Sequence, residues 1–259
     1  MKKNEQNFIY NEPEYNLILD ADSYKNDHSR MLKDNVEYIQ SSVIPRACKL
    51  SHHTNTVVPF GYIYAINKYL TKQITIEQIN EAEMMINASG YNFDRSRWQY
   101  ILDEHDGFLP IVIHAIPEGT IVPIGVPIVR IENTDKKCAW LVSYIETMLL
   151  RSSWYGTTVA TNAYEIKKLL DEYSLRHTNG IFNTAFSLHN FGARGATSYE
   201  AEILSSMAHA ISFSGSDSLQ ANRYINAMYP QFDDNGKKVF TPFVFSVIAS
   251  EHSVSCSQF

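Results

Sequence analysis

Three short apolar runs in the second half of the chain each end in a cluster of polar side chains. The runs occupy residues 186–188, 211–213 and 243–249, and helical patterns separate them. This order predicts a βαβαβ unit, in which the loops after parallel strands converge on one face of the sheet. Barrels and open α/β sheets carry their chemistry on that face, so we expect the three clusters to share one site.

The first cluster, residues 189–195, combines an aromatic ring with a guanidinium between glycines. Phe191 can stack on a flat ligand, and Arg194 can bind an anion near a helix N-terminus. Taken alone, this pattern also suits an ordinary strand-to-helix turn with a packed ring and a surface arginine. The cluster therefore predicts binding of an aromatic, anionic substrate only if the neighbouring clusters contribute to the same site.

The other two clusters supply acids and an imidazole. Asp217 lies at a predicted helix start, where the helix dipole alone would favour a carboxylate. Glu251 and His252 follow the third run, and a pair of this kind is either structural or functional. All three clusters occupy equivalent positions in successive βα units, which favours function for the set.

Other candidate residues lie in the N-terminal half, and each has a simple structural explanation. Residues 22–25 suit a helix cap or turn. Arg46 and Lys49 are expected to be solvated, and His52 and His53 have no partner at metal-ligand spacing. No CxxC, glycine-rich phosphate motif or GxSxG elbow occurs, so we predict no metal site, P-loop or hydrolase triad.

Composition indicates a soluble protein with a sizeable core: of 259 residues, 44% are hydrophobic and 19% charged. The net charge of −6 argues against a nonspecific nucleic-acid surface. The three cysteines, Cys48, Cys138 and Cys256, are odd in number and far apart in sequence, which fits a reducing compartment. Because neither a signal-peptide core nor a membrane-length apolar run is present, we expect a cytoplasmic protein with no membrane contact.

The pattern of elements predicts two domains: a mixed α+β domain over residues 1–150 and the opening of an α/β barrel over 151–259. A short strand or buried segment is expected at 15–20, and three short strands within 108–132. Helices are predicted at 61–71, 75–87, 95–104, 138–151, 157–173, 198–210 and 217–229. Thr75 and Thr197 are the predicted caps of two of them.

The predicted barrel is incomplete. Three parallel strands cannot close a barrel, which takes about eight. The sequence stops seven residues after His252, and no helix is predicted after the last run. We therefore expect the C-terminal region to be unstable alone or to be completed by another polypeptide.

Taken together, these residues resemble nicotinamide phosphoribosyltransferase, over roughly the N-terminal half of a family enzyme. The matching motifs keep the family order and are residues 22–25 (DSYK), 107–110 (GFLP), 117–119 (PEG), 132–134 (ENT), 154–155 (WY), 158–162 (TVATN), 188–195 (LHNFGARG), 213–217 (FSGSD) and 251–253 (EHS). The resemblance implies a fold that begins the type II phosphoribosyltransferase α/β barrel. It also implies transfer of phosphoribosyl from phosphoribosyl pyrophosphate to nicotinamide, giving nicotinamide mononucleotide and pyrophosphate.

The resemblance assigns a role to each candidate residue. Phe191 would stack on one face of the pyridine ring and Tyr24 of a partner subunit on the other, in a homodimer with interfacial sites. Asp217 would accept a hydrogen bond from the carboxamide and so select the amide over the acid. His252 would be phosphorylated by ATP, with Glu251 beside it, and Mg²⁺ would accompany the pyrophosphate.

The remaining substrate-binding residues implied by the resemblance are Arg194, Arg46 and Ser246, which would hold substrate or phosphate. Two residues depart from the family pattern. Asn190 replaces an aspartate and removes a charge beside the ring site, and Ala193 replaces a tyrosine that is common there. The groups that would bind ribose and magnesium pyrophosphate lie in the absent half.

Three interpretations follow. The first is a nicotinamide phosphoribosyltransferase part that makes no product without its C-terminal half. The second is a nicotinate phosphoribosyltransferase relative, which the presence of Asp217 disfavours. The third is a non-catalytic fragment that binds nicotinamide or a full-length enzyme.

Overall fold

The computed structural model of the protein describes residues 13–33, 35–47 and 55–258. Cys48, Lys49, His52 and His53 lie outside the described residues. The α-helices within these ranges are α1 (Lys25–Met31), α2 (Tyr62–Ala65), α3 (Ile76–Ala88), α4 (Arg95–Glu104), α5 (Leu141–Tyr144), α6 (Glu146–Thr178), α7 (Tyr199–His209), α8 (Leu219–Met228) and α9 (His252–Cys256). The strands are β1 (Gln40–Val43), β2 (Thr56–Val57), β3 (Ile111–Ala115), β4 (Val122–Pro123), β5 (Val129–Asn133), β6 (His189–Asn190), β7 (Gly215–Ser216), β8 (Gln231–Phe232) and β9 (Lys238–Val239).

An antiparallel sheet in the order β1-β5-β3 organises the N-terminal part. Val43 pairs with Val129 at one edge, and Ile113 pairs with Ile131 at the other. Such β-branched residues suit a pleated surface with one buried face. β2 and β4 form a separate antiparallel pair, so the three strands predicted within residues 108–132 are confirmed as β3, β4 and β5.

The helices predicted before this sheet are also confirmed. α3 begins with the predicted capping box, since the Thr75 hydroxyl accepts from the Gln78 N–H and the Gln78 side chain accepts from the Thr75 N–H. α2 continues into a π-helical turn over Ile66–Leu70. The segment predicted at 15–20 is a buried 3₁₀ turn (Leu17–Leu19) rather than a strand.

A single long helix, α6, joins the two halves of the chain. The sequence predicted two helices, at 138–151 and 157–173, and this was wrong because the small residues between them are packing residues, not breakers. Gly156 lies against the backbone of Phe60, where a Cβ atom would come within 2.6 Å of the Phe60 carbonyl oxygen. The helix therefore continues without interruption for 33 residues.

Two apolar clusters divide near the predicted domain boundary. The first lies within residues 17–149, and the second joins residues 160–225 to Val58, Phe60 and Tyr64. Residue 150 lies inside α6, which contributes buried side chains to both clusters. The two-domain division stays a prediction, and any boundary there would pass through a continuous helix.

The C-terminal part contains the predicted parallel arrangement in shorter form. β6 pairs with β7 in parallel, and Gly215 forms a further parallel bridge to Phe245. α7 follows β6 and α8 follows β7, and the two helices pack on each other. The fold class is therefore confirmed as mixed α/β with the first parallel strands of an incomplete barrel. Among the described residues no closed barrel forms.

Several boundaries differ from the prediction. Two of the strands begin after the apolar runs 186–188 and 211–213 rather than within them. Among the described residues, the run 243–249 pairs only through the bridge at Phe245. A sheet of so few strands supports only short hydrogen-bonded ladders. A short helix, α9, follows Glu251 where none was predicted. Ser198, not Thr197, caps α7, since its side chain accepts from the Ala201 N–H.

No helix in the described part of the chain has both the length and the apolar character needed to cross a membrane.

Candidate functional site

Backbone pairing brings three strand ends to one place. The Asp217 N–H donates to the Asn190 carbonyl at 3.0 Å, and the Ser216 N–H donates to the Phe245 carbonyl at 3.0 Å. The Phe245 N–H in turn donates to Ser214 at 2.7 Å. Residues just beyond these positions therefore lie side by side, as expected for the carboxyl edge of a parallel sheet.

Asp217 is the centre of this edge. Its Oδ1 accepts hydrogen bonds from His189 Nε2 at 2.7 Å and from the Ser246 hydroxyl at 2.8 Å. Each of the three side chains comes from a different strand end. The His189 bond, followed by the Ser246 bond, lowers the pKa of Asp217 below its usual value, with the backbone N–H of Val247 acting in the same direction. The carboxylate is therefore ionised at neutral pH.

The ionised carboxylate fixes the state of the histidine. A carboxylate only accepts hydrogen bonds, so His189 Nε2 carries the proton that it donates. The His189 side chain is also mostly buried: 12% of it is exposed, whereas 35% of the Asp217 side chain is exposed. The Asp217 carboxylate is thus held in place while part of it still faces solvent.

Phe191 supplies an aromatic surface beside this pair. Its ring centroid lies 4.4 Å from that of His189, with 36° between the planes. The Phe191 side chain is 56% exposed, an unusual state for a phenyl ring that packs on a neighbour. A ring and a carboxylate acceptor within one short stretch of surface can bind a flat heteroaromatic amide.

Two residues that the sequence reasoning did not assign shape the site. His189 belongs to the first cluster but was given no role there. Gly215 lies under the imidazole, where a Cβ atom would fall 2.6 Å from His189 Nδ1. A glycine inside a strand often marks such a close approach, and that signal could have identified the pair.

Asn190 points away from the carboxylate. Its Oδ1 accepts from the Gly192 N–H at 2.8 Å, and its Nδ2 donates to Ser206 of α7 at 3.1 Å and to Ser216 at 3.4 Å. Side chains alternate across a strand, so the residue after His189 faces the helix layer. Asn190 therefore organises the turn after β6, and the removal of a charge beside the ring site stays a prediction.

Three predicted residues stand apart from the Asp217 cluster. Arg194 is exposed in the 3₁₀ turn Gly192–Gly195 and has no hydrogen-bond or ion-pair partner in the described part of the chain. Glu251 and His252 are exposed at the start of α9. Glu251 accepts from the Ser253 hydroxyl at 2.7 Å, and no contact among the described residues joins it to His252.

Tyr24 and Arg46 lie in the N-terminal part. Tyr24 precedes α1 and is 54% exposed, while the next residue, Lys25, is buried and anchors the segment. Lys25 Nζ donates to the Ser143 carbonyl at 2.6 Å and to Glu146 at 2.5 Å. Arg46 is exposed beyond β1. Within the described ranges, neither residue contacts the Asp217 cluster.

A second polar cluster joins His105, Asp135 and Cys138, whose ligand atoms lie within 4.8 Å of one another. Asp135 already accepts from Tyr100 at 2.8 Å, from His105 at 2.9 Å and from the Lys137 N–H at 2.8 Å. Burial raises the pKa of the Cys138 thiol to about 12, so it stays protonated. The cluster caps a 3₁₀ turn and is explained by its own hydrogen bonds.

Mg²⁺ does not fit the Asp217 cluster. The ion takes carboxylate, phosphate and water oxygens in an octahedron, whereas the Asp217 oxygen that faces His189 and Ser246 is already occupied by two donors. The described residues of this cluster offer no second carboxylate to the same position. We derive no step through a metal held by this chain.

Comparison with known proteins gives the chain its relatives. Residues 16–113 match the model of the N-terminal domain of nicotinamide phosphoribosyltransferase. Over 248 residues the chain is 33% identical to the nicotinamide phosphoribosyltransferase of Xanthomonas campestris pv. campestris, with 93% of this chain and 49% of the relative covered. It is 32% identical over 248 residues to the nicotinamide phosphoribosyltransferase of Acinetobacter baylyi, with 91% of this chain and 47% of the relative covered. The resemblance read from the motifs is thus confirmed.

The chain spans about half the length of the curated relatives it matches. Solved structures agree on the fold. Human nicotinic acid phosphoribosyltransferase superposes with a TM-score of 0.53 at 18% identity, over 78% of this chain and 37% of that one. Nicotinate-nucleotide pyrophosphorylase from Pyrococcus furiosus superposes with a TM-score of 0.51 at 15% identity, over 100% of this chain and 47% of that one.

Proposed function

We propose that this chain, a relative of the N-terminal half of nicotinamide phosphoribosyltransferase, supplies the nicotinamide-recognising part of an enzyme that transfers phosphoribosyl from phosphoribosyl pyrophosphate to nicotinamide. One observation carries the proposal: the Asp217 carboxylate is held by His189 at 2.7 Å and by Ser246 at 2.8 Å, beside the exposed ring of Phe191. The whole reaction takes place only when the other half of the site is present.

The charge of Asp217 determines which pyridine binds. A carboxylate accepts a hydrogen bond from a carboxamide N–H, but it repels the carboxylate of nicotinate. The lowered pKa of Asp217, caused first by the His189 bond, keeps this selection in force at neutral pH. Selection of the amide over the acid therefore favours nicotinamide transfer over the nicotinate alternative.

The aromatic residues hold the ring. Phe191 stacks on one face of the pyridine, and Tyr24 of a second subunit closes the other face in a homodimer. As the ring nitrogen attacks the anomeric carbon, the carbon–oxygen bond to pyrophosphate breaks and pyrophosphate leaves with the electron pair. The pyridine becomes cationic in this step, and an aromatic face stabilises a developing cation. The attacking lone pair carries no proton, so no general base is required.

The cationic and exposed residues serve the phosphates. Arg194 and Arg46 bind phosphate groups of substrate or product, as their exposed side chains allow. His252 is open to solvent at the start of α9 and is the position that ATP phosphorylates, with Glu251 as its neighbour. Groups of the complementing half would hold the Mg²⁺ that accompanies the pyrophosphate, and there it would neutralise phosphate charge.

Two measurements on the purified chain test the proposal. Titration calorimetry with nicotinamide and with nicotinate should show binding of the amide and weaker binding of the acid. Asp217→Ala should abolish this difference, whereas Asp103→Asn, which changes an exposed carboxylate on α4, should leave it intact. A wild-type preference for nicotinate would overturn the assignment.

Turnover is then measured with phosphoribosyl pyrophosphate, Mg²⁺ and ATP, following nicotinamide mononucleotide by chromatography. We expect no product from the chain alone and product when a polypeptide matching the C-terminal half of the Xanthomonas relative is added. Robust turnover by the chain alone would contradict the need for a second half. Binding without turnover in either mixture would support the non-catalytic interpretation instead.

A further inference from the structure

We propose that His189 is a positioning residue that locks the Asp217 carboxylate in the orientation needed to accept a hydrogen bond from an aromatic carboxamide. The inference rests on the proposed function and assigns to His189 the amide selectivity that Asp217 expresses. His189 itself need not touch the substrate.

The imidazole is fixed on three sides. Its Nε2 donates to Asp217 Oδ1 at 2.7 Å, and its ring packs on Phe191 at 4.4 Å between centroids. On the third side Gly215 leaves no room beside Nδ1 for even one methyl group. A ring held in this way has little freedom to turn, so the direction of its N–H is set by the fold.

Asp217 depends on that direction. Its side chain is 35% exposed, and an exposed aspartate without fixed donors samples several rotamers. A donor held at Oδ1 removes this freedom, so that the remaining acceptor capacity of the carboxylate points consistently at a ligand. Preorganisation of this kind increases affinity by lowering the ordering cost of binding.

Ser246 is the weaker of the two side-chain donors to Asp217, which the backbone N–H of Val247 also approaches. Its hydroxyl lies 2.8 Å from Asp217 Oδ1 but also 3.3 Å from the Val247 carbonyl oxygen, and one O–H proton cannot serve both acceptors fully. The segment that carries it pairs with β7 through the single bridge at Phe245 in the described part of the chain. His189 is therefore the side chain that holds the Asp217 carboxylate in a fixed orientation.

The test compares His189→Gln with His189→Ala. The glutamine amide can reach Asp217 and donate as Nε2 does, whereas alanine cannot. Nicotinamide affinity should fall roughly tenfold in His189→Ala and stay within roughly threefold of wild type in His189→Gln. The ratio of nicotinamide to nicotinate affinity should fall with it in the alanine variant and recover in the glutamine variant.

A ligand-independent measurement accompanies the titration. The carboxyl ¹³C shift of Asp217, assigned by its loss in Asp217→Asn, reports its pKa in each variant. His189→Ala should raise that pKa toward the ordinary aspartate value of about 3.9, and His189→Gln should raise it less. Thermal melting of each variant separates this local effect from general unfolding.

The outcomes distinguish the two claims. If wild type binds the amide selectively and both His189 variants keep the same selectivity, the positioning role is refuted while the proposed function stands. If wild type prefers nicotinate, or binds neither compound, the proposed function fails for this chain. That failure also removes the amide selectivity assigned to His189. An unchanged Asp217 pKa in His189→Ala overturns the positioning claim whatever the ligand data show, and a raised pKa together with lost selectivity supports it.

Discussion

Gly215 and His189 are paired across two parallel strands so closely that the imidazole occupies the space where any other residue would carry its Cβ atom. That Cβ would lie 2.6 Å from His189 Nδ1 and 3.5 Å from the His189 Cα. The hydrogen bond from His189 on β6 to Asp217 therefore requires that residue 215 on β7 has no side chain.

Gly215→Ala should displace the imidazole and weaken its bond to Asp217. Overpacking at such a site costs about 1–3 kcal/mol of unfolding free energy, measured by urea denaturation. Gly195→Ala is the matched control, because a Cβ atom there meets nothing within 4 Å. Equal losses in the two variants would contradict the packing argument.

Asp217→Asn should remove the charge selection while keeping the shape of the side chain. Nicotinamide binding should weaken roughly tenfold, and nicotinate should gain relative to it, because the repulsion is gone. In wild type, the His189 bond lowers the pKa of Asp217, so the carboxylate stays ionised to a lower pH than an ordinary aspartate does.

The stability that Asp217 contributes is therefore fully present above its unfolded pKa and is lost as pH falls from there through the folded pKa, whereas the charge selection follows the folded pKa alone. Calorimetric titrations between about pH 7 and about pH 5 should show the same preference for the amide. A preference that disappears within this range would show that another group governs recognition.

The sequence predicted most helices and the order of the parallel strands, because these depend on local spacing and caps such as Thr75. It missed the continuity of α6, since Gly156 resembles a helix breaker until Phe60 is placed against it. Likewise the role of His189 depends on Gly215, which lies 26 positions later in the chain. Asp217 was found because it lies at a strand end, but its two side-chain donors could be recognised only from the pairing across strands.

Glu118, in the turn after β3, should make stability depend on pH in the opposite direction from Asp217. Its Oε1 accepts from the Gly61 N–H at 2.7 Å and the Ile63 N–H at 3.0 Å, and Tyr229 donates to its other oxygen. Burial is the largest influence and raises the pKa of Glu118 despite these bonds. The folded protein therefore holds this proton more tightly than the unfolded chain.

For a carboxyl group with a raised pKa, folding stability falls as pH rises from the unfolded to the folded pKa. Glu118→Gln cannot ionise, so the stability of wild type relative to this variant should be greater at about pH 5 than at about pH 8. Urea denaturation at both values measures the difference. Tyr229→Phe, which removes a donor but leaves Glu118 ionisable, should retain the pH dependence; a pH-independent difference between wild type and Glu118→Gln would refute the assignment.

The start of α2 offers a test of how closely the two halves of the chain are joined. Gly61 has a φ of +105°, and a Cβ atom there would lie 2.3 Å from the Ser152 carbonyl oxygen of α6. Gly61→Ala therefore adds a backbone clash to the ordinary strain of a left-handed residue. Gly125 has a φ of +88° with nothing within 4 Å, so Gly125→Ala carries the strain alone.

The difference between these two variants isolates the contact between α2 and α6. Strain at a positive φ costs roughly 1–2 kcal/mol in either variant, and the clash should cost Gly61→Ala about 1–3 kcal/mol more, because rigid backbone cannot move aside. Since Glu118 accepts from the Gly61 N–H, the clash should also disturb the contact of Glu118 with Tyr229. Similar unfolding free energies for the two variants would mean that α2 and α6 separate easily, and that the two apolar clusters are less firmly coupled than their shared helix indicates.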